Sequence, residues 1–208
     1  MSAILYYIHD PMCSWCWAFR PTLAALLAQL PEEIVFKRLL GGLAPDSDTP
    51  MPEAMRARLQ QTWHHIEQAV PGTRFNFDFW RRNTPRRATY PACRALLAAR
   101  AQGREEAMLA AIQQAYYREA RNPSDDSTLN ELAAAIGLDT VRFAKELNAA
   151  ATQRQLEEEV ARARALGADS YPCLMLQVNG AVWPVPVDYL QAEKMLDTIA
   201  WMLEEGGA

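Results

Sequence analysis

Two cysteines, Cys13 and Cys16, stand between a strand-like run and a helix-like run, and no other feature of the sequence restricts the fold so tightly. Before the pair, residues 3–8 are apolar, β-branched and aromatic over strand length, and Asp10-Pro11 breaks the run. After it, Trp17, Phe19, Leu23, Leu26, Leu27 and Leu30 recur near helical spacing until Pro31. Residues 34–40 form a second apolar run, stopped by Gly41-Gly42. The order strand, Cys-x-x-Cys, helix, strand predicts a βαβ unit with Cys13 at the helix N-terminus, the setting in which such a pair reads as redox-active.

The chemistry follows from that placement. A thiolate is the attacking species, and free N–H groups plus the positive end of the helix dipole stabilise negative charge on Cys13. One turn later Cys16 can reach the same sulfur, so the two can cycle between dithiol and disulfide. Between them, Ser14 is expected to donate a hydroxyl hydrogen bond to the Cys13 thiolate, and Trp15 offers a flat apolar surface. His9 is the nearest titratable candidate to assist, against the plainer reading of a strand-end histidine.

Far downstream, residues 174–178, the Asn179-Gly180 dipeptide and residues 181–187 give the strongest hairpin signal in the chain. Pro184 and Pro186, two apart, place the second strand at a sheet edge. A final amphipathic helix is expected over 189–203, with Leu190, Met195, Leu196, Ile199 and Met202 on one stripe. Between the two ends the pattern is helical, with segments expected at 52–69, 91–102, 105–119, 128–136, 140–149 and 152–166. Phe75, Phe77, Phe79 and Trp80 read as core aromatics in preference to a substrate platform.

A length of 208 residues allows one domain with an insertion or two small ones. The net charge of −4 recommends neither nucleic acid nor anionic lipid. It hides a local +7 over residues 52–104 and −9 over residues 105–208, read as solvated faces before a basic rim for an anionic ligand. The first residues lack a basic segment followed by a signal-length apolar run, and the longest uncharged stretch, 170–187, holds Pro172, Pro184 and Pro186. No export and no membrane span are expected, and the reading places the protein in the cytoplasm. There, four cysteines do not make a disulfide framework.

With strand, Cys-x-x-Cys helix and strand at one end and Tyr171-Pro172, hairpin and helix at the other, the chain resembles the thioredoxin-fold oxidoreductases. The long helical stretch between the halves looks like the DsbA type. Asp10-Pro11-Met12-Cys13-Ser14-Trp15-Cys16-Trp17-Ala18-Phe19 is similar to a cytoplasmic protein-disulfide isomerase branch near the FrnE-like proteins and the 2-hydroxychromene-2-carboxylate isomerases. The implied class is α/β, a thioredoxin fold with an all-helical insertion domain. Its expected bounds are 1–50 and 168–208 for the discontinuous thioredoxin-like domain and 51–167 for the insertion.

The resemblance implies thiol–disulfide oxidoreductase activity, with Cys13 the exposed nucleophile and Cys16 the buried resolving cysteine. It implies a cis peptide bond at Pro172 and pairing of the Tyr171 backbone with substrate by strand addition. Ser14 stands where many relatives have proline, Trp15 replaces the histidine of strongly oxidising members, and Cys173 follows the proline. Cys173 reads as a core residue before an auxiliary thiol. Residues 83–95 resemble a segment that faces the groove in relatives and bring Cys93, read as a packed helix cysteine. Partners are protein or small-molecule thiols and disulfides, no bound cofactor or metal is expected, and glutathione is the candidate redox partner.

Three other readings compete. Zinc could use Cys13 and Cys16 with Cys93 or Cys173 and one of His9, His64 or His65, but no second ligand-pair motif exists. A glutathione-dependent transferase or small-molecule isomerase on the same fold could use the arginines of 81–94 for carboxylates. A non-enzymatic interaction module would leave Cys13 unreactive.

Overall fold

The computed structural model describes residues 3–205; Met1, Ser2 and residues 206–208, which fall inside the expected domain bounds and the expected leaderless start, lie outside the described residues. β1 (Ala3–His9) runs into the cysteine turn, α1 (Ser14–Leu27) follows, and β2 (Ile34–Leu40) pairs with β1 in parallel, Ala3 opposite Ile34 and His9 opposite Leu40. Seven helices intervene: α2 (Glu53–Ala69), α3 (Phe79–Arg82), α4 (Tyr90–Arg100), α5 (Glu105–Tyr117), α6 (Asp126–Ala135), α7 (Thr140–Leu147) and α8 (Ala150–Ala165). The chain then returns as β3 (Cys173–Val178), antiparallel to β1, and β4 (Ala181–Val185), antiparallel to β3. The sheet order is β2-β1-β3-β4, and α9 (Ala192–Glu205) ends the fold.

Alternation along the central strands divides the core. Leu5, Tyr7, Leu174 and Leu176 face α1 and α9, where they pack with Phe19, Leu23, Leu26, Met195 and Ile199. Tyr6, Ile8 and Met175 face the other way, onto Ala163 of α8 and onto Ala168. β1 therefore has both faces covered, which is why its sequence is an unbroken apolar run. The helices between the halves of the sheet form a third cluster centred on Trp63, whose ring lies 4.8 Å from that of Phe75 and 4.9 Å from that of Trp80. Phe75, Phe79 and Trp80 are buried there, while Phe77 is half-buried and stacks on His64 at 4.2 Å.

Three sequence expectations shift, and one short helix was not expected. The last helix starts at Ala192, not 189, because the Asp188 carboxylate takes the amides of Leu190 and Gln191 and caps a turn there; Leu190 is exposed, off the apolar stripe. β4 ends at Val185. α1 ends at Leu27, and its Pro21, lacking an N–H, sits inside the helix. The single turn α3 had no periodic signal to announce it, being four residues long.

Candidate active site

α1 begins at a thiol. Cys13 has extended backbone torsions, φ −79° and ψ 116°, and serves as the N-cap, its sulfur accepting a hydrogen bond from the Cys16 amide at 3.3 Å. The carbonyl of Asp10 takes the Cys13 amide at 3.0 Å and closes the turn that carries the chain from β1 into the helix. Neither cysteine is in a disulfide; Cys16 is completely buried, and Cys13, expected to be exposed, is itself buried with 6% exposure, because the Tyr171 loop lies against its sulfur.

Opposite Cys13 lies the loop before β3. The Tyr171–Pro172 peptide bond is cis, and the Cys13 thiol donates to the Tyr171 carbonyl at 3.4 Å. Tyr171 is fixed from behind: its hydroxyl donates to the Gly41 carbonyl at 2.7 Å, and its ring lies so close to Gly41 that a Cβ there would stand 2.2 Å from Cε1. Glycine at 41 is thus required by close approach, not by its backbone angle. Gly41→Ala is expected to displace the Tyr171 ring and lower turnover of a disulfide substrate about tenfold or more, since small misplacements at a reacting centre are costly; steady-state kinetics beside a melting curve would check it.

The aromatic floor of the site comes from three elements. Trp15 is half-buried, with the Tyr189 ring at 4.8 Å and the His65 ring at 5.7 Å. Tyr189 also meets Phe19 at 5.8 Å and accepts the Thr22 hydroxyl on its carbonyl at 2.6 Å. Trp17 points the other way, stacking on Tyr117 at 5.6 Å, so consecutive aromatic residues of α1 bind the helix to both halves of the molecule. Beside α1 runs a groove of about 610 Å³ lined by Trp17, Arg20, Pro21, Val70, Pro71 and Tyr189.

Burial governs the electrostatics. Burial pushes the Cys16 thiol well up, and the neighbouring Cys13 sulfur adds to the effect. Tyr7, beneath the pair, is likewise raised by burial and then by the charges of Cys16 and Cys13. His9 stacks on Tyr7 with ring centroids 4.9 Å apart and 3° between planes. Neither of its ring nitrogens has a hydrogen-bond partner, and burial lowers its pKa to about 3, with Arg38 and Arg100 contributing.

A histidine neutral when folded and basic when unfolded makes the unfolded state bind more protons between about pH 3 and pH 6.5, so stability falls on acidification through that window. His9→Phe keeps the stack and removes the titration. The variant is expected to lose less stability than the parent between pH 7 and pH 4.5, the gap growing by up to about 1.4 kcal/mol per pH unit. Urea midpoints at the two pH values read it directly.

Several residues named by the sequence land elsewhere than expected. Among the described residues Ser14 Oγ makes no hydrogen bond, and the donor at the Cys13 sulfur is the Cys16 amide instead. Cys173 sits at the margin of the α8-facing cluster, partly exposed. Cys93 is fully buried in α4 with its sulfur 3.5 Å from Asp10 Oδ2. The arginines of 81–94 are largely spent: Arg94 forks onto Asp46, Arg86 pairs with Asp125 and Arg81 with Asp78. Among the described residues no cluster of three metal-ligating side chains forms, and no helix is long and apolar enough to cross a membrane. Sequence reasoning assigned no site role to Tyr189, named His65 only as a candidate zinc ligand, and marked Asp10 only as a strand breaker and the first residue of the segment that carries the resemblance.

A mixed four-stranded sheet with a reduced Cys-x-x-Cys pair capping its first helix and a proline loop facing it defines a thioredoxin-fold protein of the disulfide-exchange type. The chain belongs to the DSBA-like thioredoxin domain family, whose model matches residues 6–193. It is similar to the cytosolic disulfide reductase DsbM from Pseudomonas aeruginosa, at 28% identity over 97% of this chain and 99% of that one, with a TM-score of 0.75. DsbM has also been solved with GSH, and that structure matches at 26% identity, 97% and 99% coverage and a TM-score of 0.73. A candidate protein disulfide isomerase from Nitrosomonas europaea shares the fold at TM-score 0.83, with 24% identity and 99% coverage of both chains. No curated protein matches.

Proposed function

We propose that the protein is a cytoplasmic thiol–disulfide oxidoreductase acting through the Cys13-Ser14-Trp15-Cys16 pair and a mixed disulfide. The observation that carries the reading is the pairing of Cys13, at a helix N-terminus, with the Tyr171 carbonyl across from it. The Tyr171 carbonyl, which here accepts the Cys13 thiol, has a second lone pair for an amide of an extended substrate chain, the strand-addition mode, and Pro172 has no N–H to compete there. Trp15, half-buried between Tyr189 and His65, supplies an apolar wall beside the thiols.

The chemistry balances as follows. The Cys13 thiolate attacks one sulfur of a substrate disulfide; a Cys13–substrate S–S bond forms, and the other substrate sulfur leaves as a thiolate that takes up a proton. Cys16, losing its own proton, attacks Cys13 and expels the second substrate thiol. The substrate gains two electrons and the pair becomes a disulfide, which an external thiol such as glutathione returns to the dithiol. Run backwards, the same steps oxidise a dithiol. His9 has no proton-transfer part, being unpartnered and neutral.

Cys16 as the resolving thiol fits its position behind Cys13. We assign residues 51–167 to a helical insertion domain that covers one flank of the site, Trp15 meeting His65 and Trp17 meeting Tyr117 across the boundary. A glutathione-dependent transferase is less well supported, because three of the five arginines of 81–94, Arg81, Arg86 and Arg94, are held by aspartates, which leaves Arg82 and Arg87 for a carboxylate. The test is equilibration in glutathione redox buffers with free thiols counted at Cys13 and Cys16. The pair is expected to titrate as a two-electron couple; thiols that stay at the same count across the whole range would overturn the reading.

A further inference from the structure

The end of β1 buries a carboxylate that the proposed mechanism does not use. Asp10 is 0% exposed, and both its oxygens are occupied. Oδ1 accepts the Met12 amide at 2.8 Å; Oδ2 accepts the Leu43 amide at 2.8 Å and the Thr89 hydroxyl at 2.6 Å, with the Cys93 thiol at 3.5 Å. Every partner is a donor. Burial raises the Asp10 pKa, and these four donors work against that rise, because the ionised carboxylate satisfies them all whereas an added proton would displace one of them.

The partners come from four places: the cysteine turn itself, the loop after β2, the residue before α4 and α4 proper. Thr89 is doubly committed, since its oxygen also takes the Ala44 amide at 3.1 Å. The Asp10 backbone meanwhile holds the turn that carries the thiols, its carbonyl taking the Cys13 amide at 3.0 Å. A negative charge is thus fixed at the base of the turn that presents both sulfurs, in a water-excluded setting where charges are felt strongly.

We propose that Asp10 is a positioning residue for the thiol pair: its carboxylate, held at the base of the turn by donors from Met12, Leu43, Thr89 and Cys93, disfavours negative charge on Cys16 and keeps the pair reducing. The inference rests on the oxidoreductase reading above and deepens it by giving the pair a direction. A thiolate stabilises the dithiol form, so whatever opposes the thiolate favours the disulfide and lowers the reduction potential. At the raised Cys16 thiol burial leads and the Cys13 sulfur follows; the Asp10 backbone hydrogen bond works the other way, and the Asp10 charge is the smallest of the raising contributions, the one Asp10→Asn removes.

The experiment compares the parent, Asp10→Asn and Thr89→Val in glutathione redox buffers at pH 7, with melting curves alongside. Asp10→Asn keeps size and one acceptor but removes the charge, and its pair is expected to become about tenfold easier to reduce, a rise of roughly 30 mV. Thr89→Val leaves Asp10 in place without its hydroxyl donor, and should move the midpoint about threefold in the same direction; it carries the test if Asp10→Asn does not fold. Variants that melt earlier yet keep the parent midpoint would overturn the proposal and leave the cluster a structural tie. A parent whose pair does not titrate at all overturns the oxidoreductase reading, and this inference with it.

Discussion

Cys13→Ala protein is expected to lose disulfide turnover by about a thousandfold or more, as happens when a nucleophile is removed from a constellation that acts as a unit. Cys16→Ser is expected to differ in kind. Cys13 there still caps α1 and still faces the Tyr171 carbonyl, so the first exchange proceeds and the second cannot. Incubated with a disulfide substrate, Cys16→Ser should accumulate a stoichiometric mixed disulfide through Cys13, visible as a mass increase that reductant removes. Mixed disulfides at Cys93 or Cys173 instead would move the nucleophile elsewhere in the fold. Full turnover by Cys16→Ser would favour the glutathione-transferase reading, which needs only one sulfur.

The largest stability effect is expected far from the sulfurs. Trp63 is 2% exposed, and its ring lies within 6.0 Å of those of Phe75, Phe77, Phe79, Trp80, Tyr116 and Tyr117. Trp63→Ala leaves a cavity those rings cannot collapse into without losing their edge and stacking contacts. A cost of about 3–5 kcal/mol is expected, a large share of the roughly 5–15 kcal/mol that keeps a domain folded. Denaturant unfolding followed by tryptophan fluorescence would measure it. Because Tyr117 also carries Trp17 of α1, thiol reactivity at Cys13 should rise together with the loss of stability.

What could be read in the sequence was whatever local pattern dictates. Residues 3–8 and 34–40 announced strands through apolar runs, and Asn179-Gly180 announced the hairpin because Asn179 and Gly180 both take positive φ, 49° and 95°, as a tight turn between twisted strands demands. Cys13 announced the site because a pair at that spacing needs a helix N-terminus. Tyr189 and His65 could not be foreseen, since what gives them a place is contact with Trp15 across long separations in the chain. Asp10 was legible as a breaker and as part of the resemblance segment but not as a buried acceptor, because that place depends on donors at 43, 89 and 93. Ser14 was over-read: its neighbourhood in sequence suggested a hydrogen bond that the Cys16 amide makes instead.

The pairing of β1 with β3 sets Ala3 opposite Val178 and Ile8 opposite Cys173. On the ribosome, the redox helix therefore emerges before the strand that completes its sheet. Until residue 178 is made, β1 has only its parallel neighbour β2, and Cys13 has no Tyr171 carbonyl facing it. All seven intervening helices must be synthesised before the two halves of the thiol site can meet.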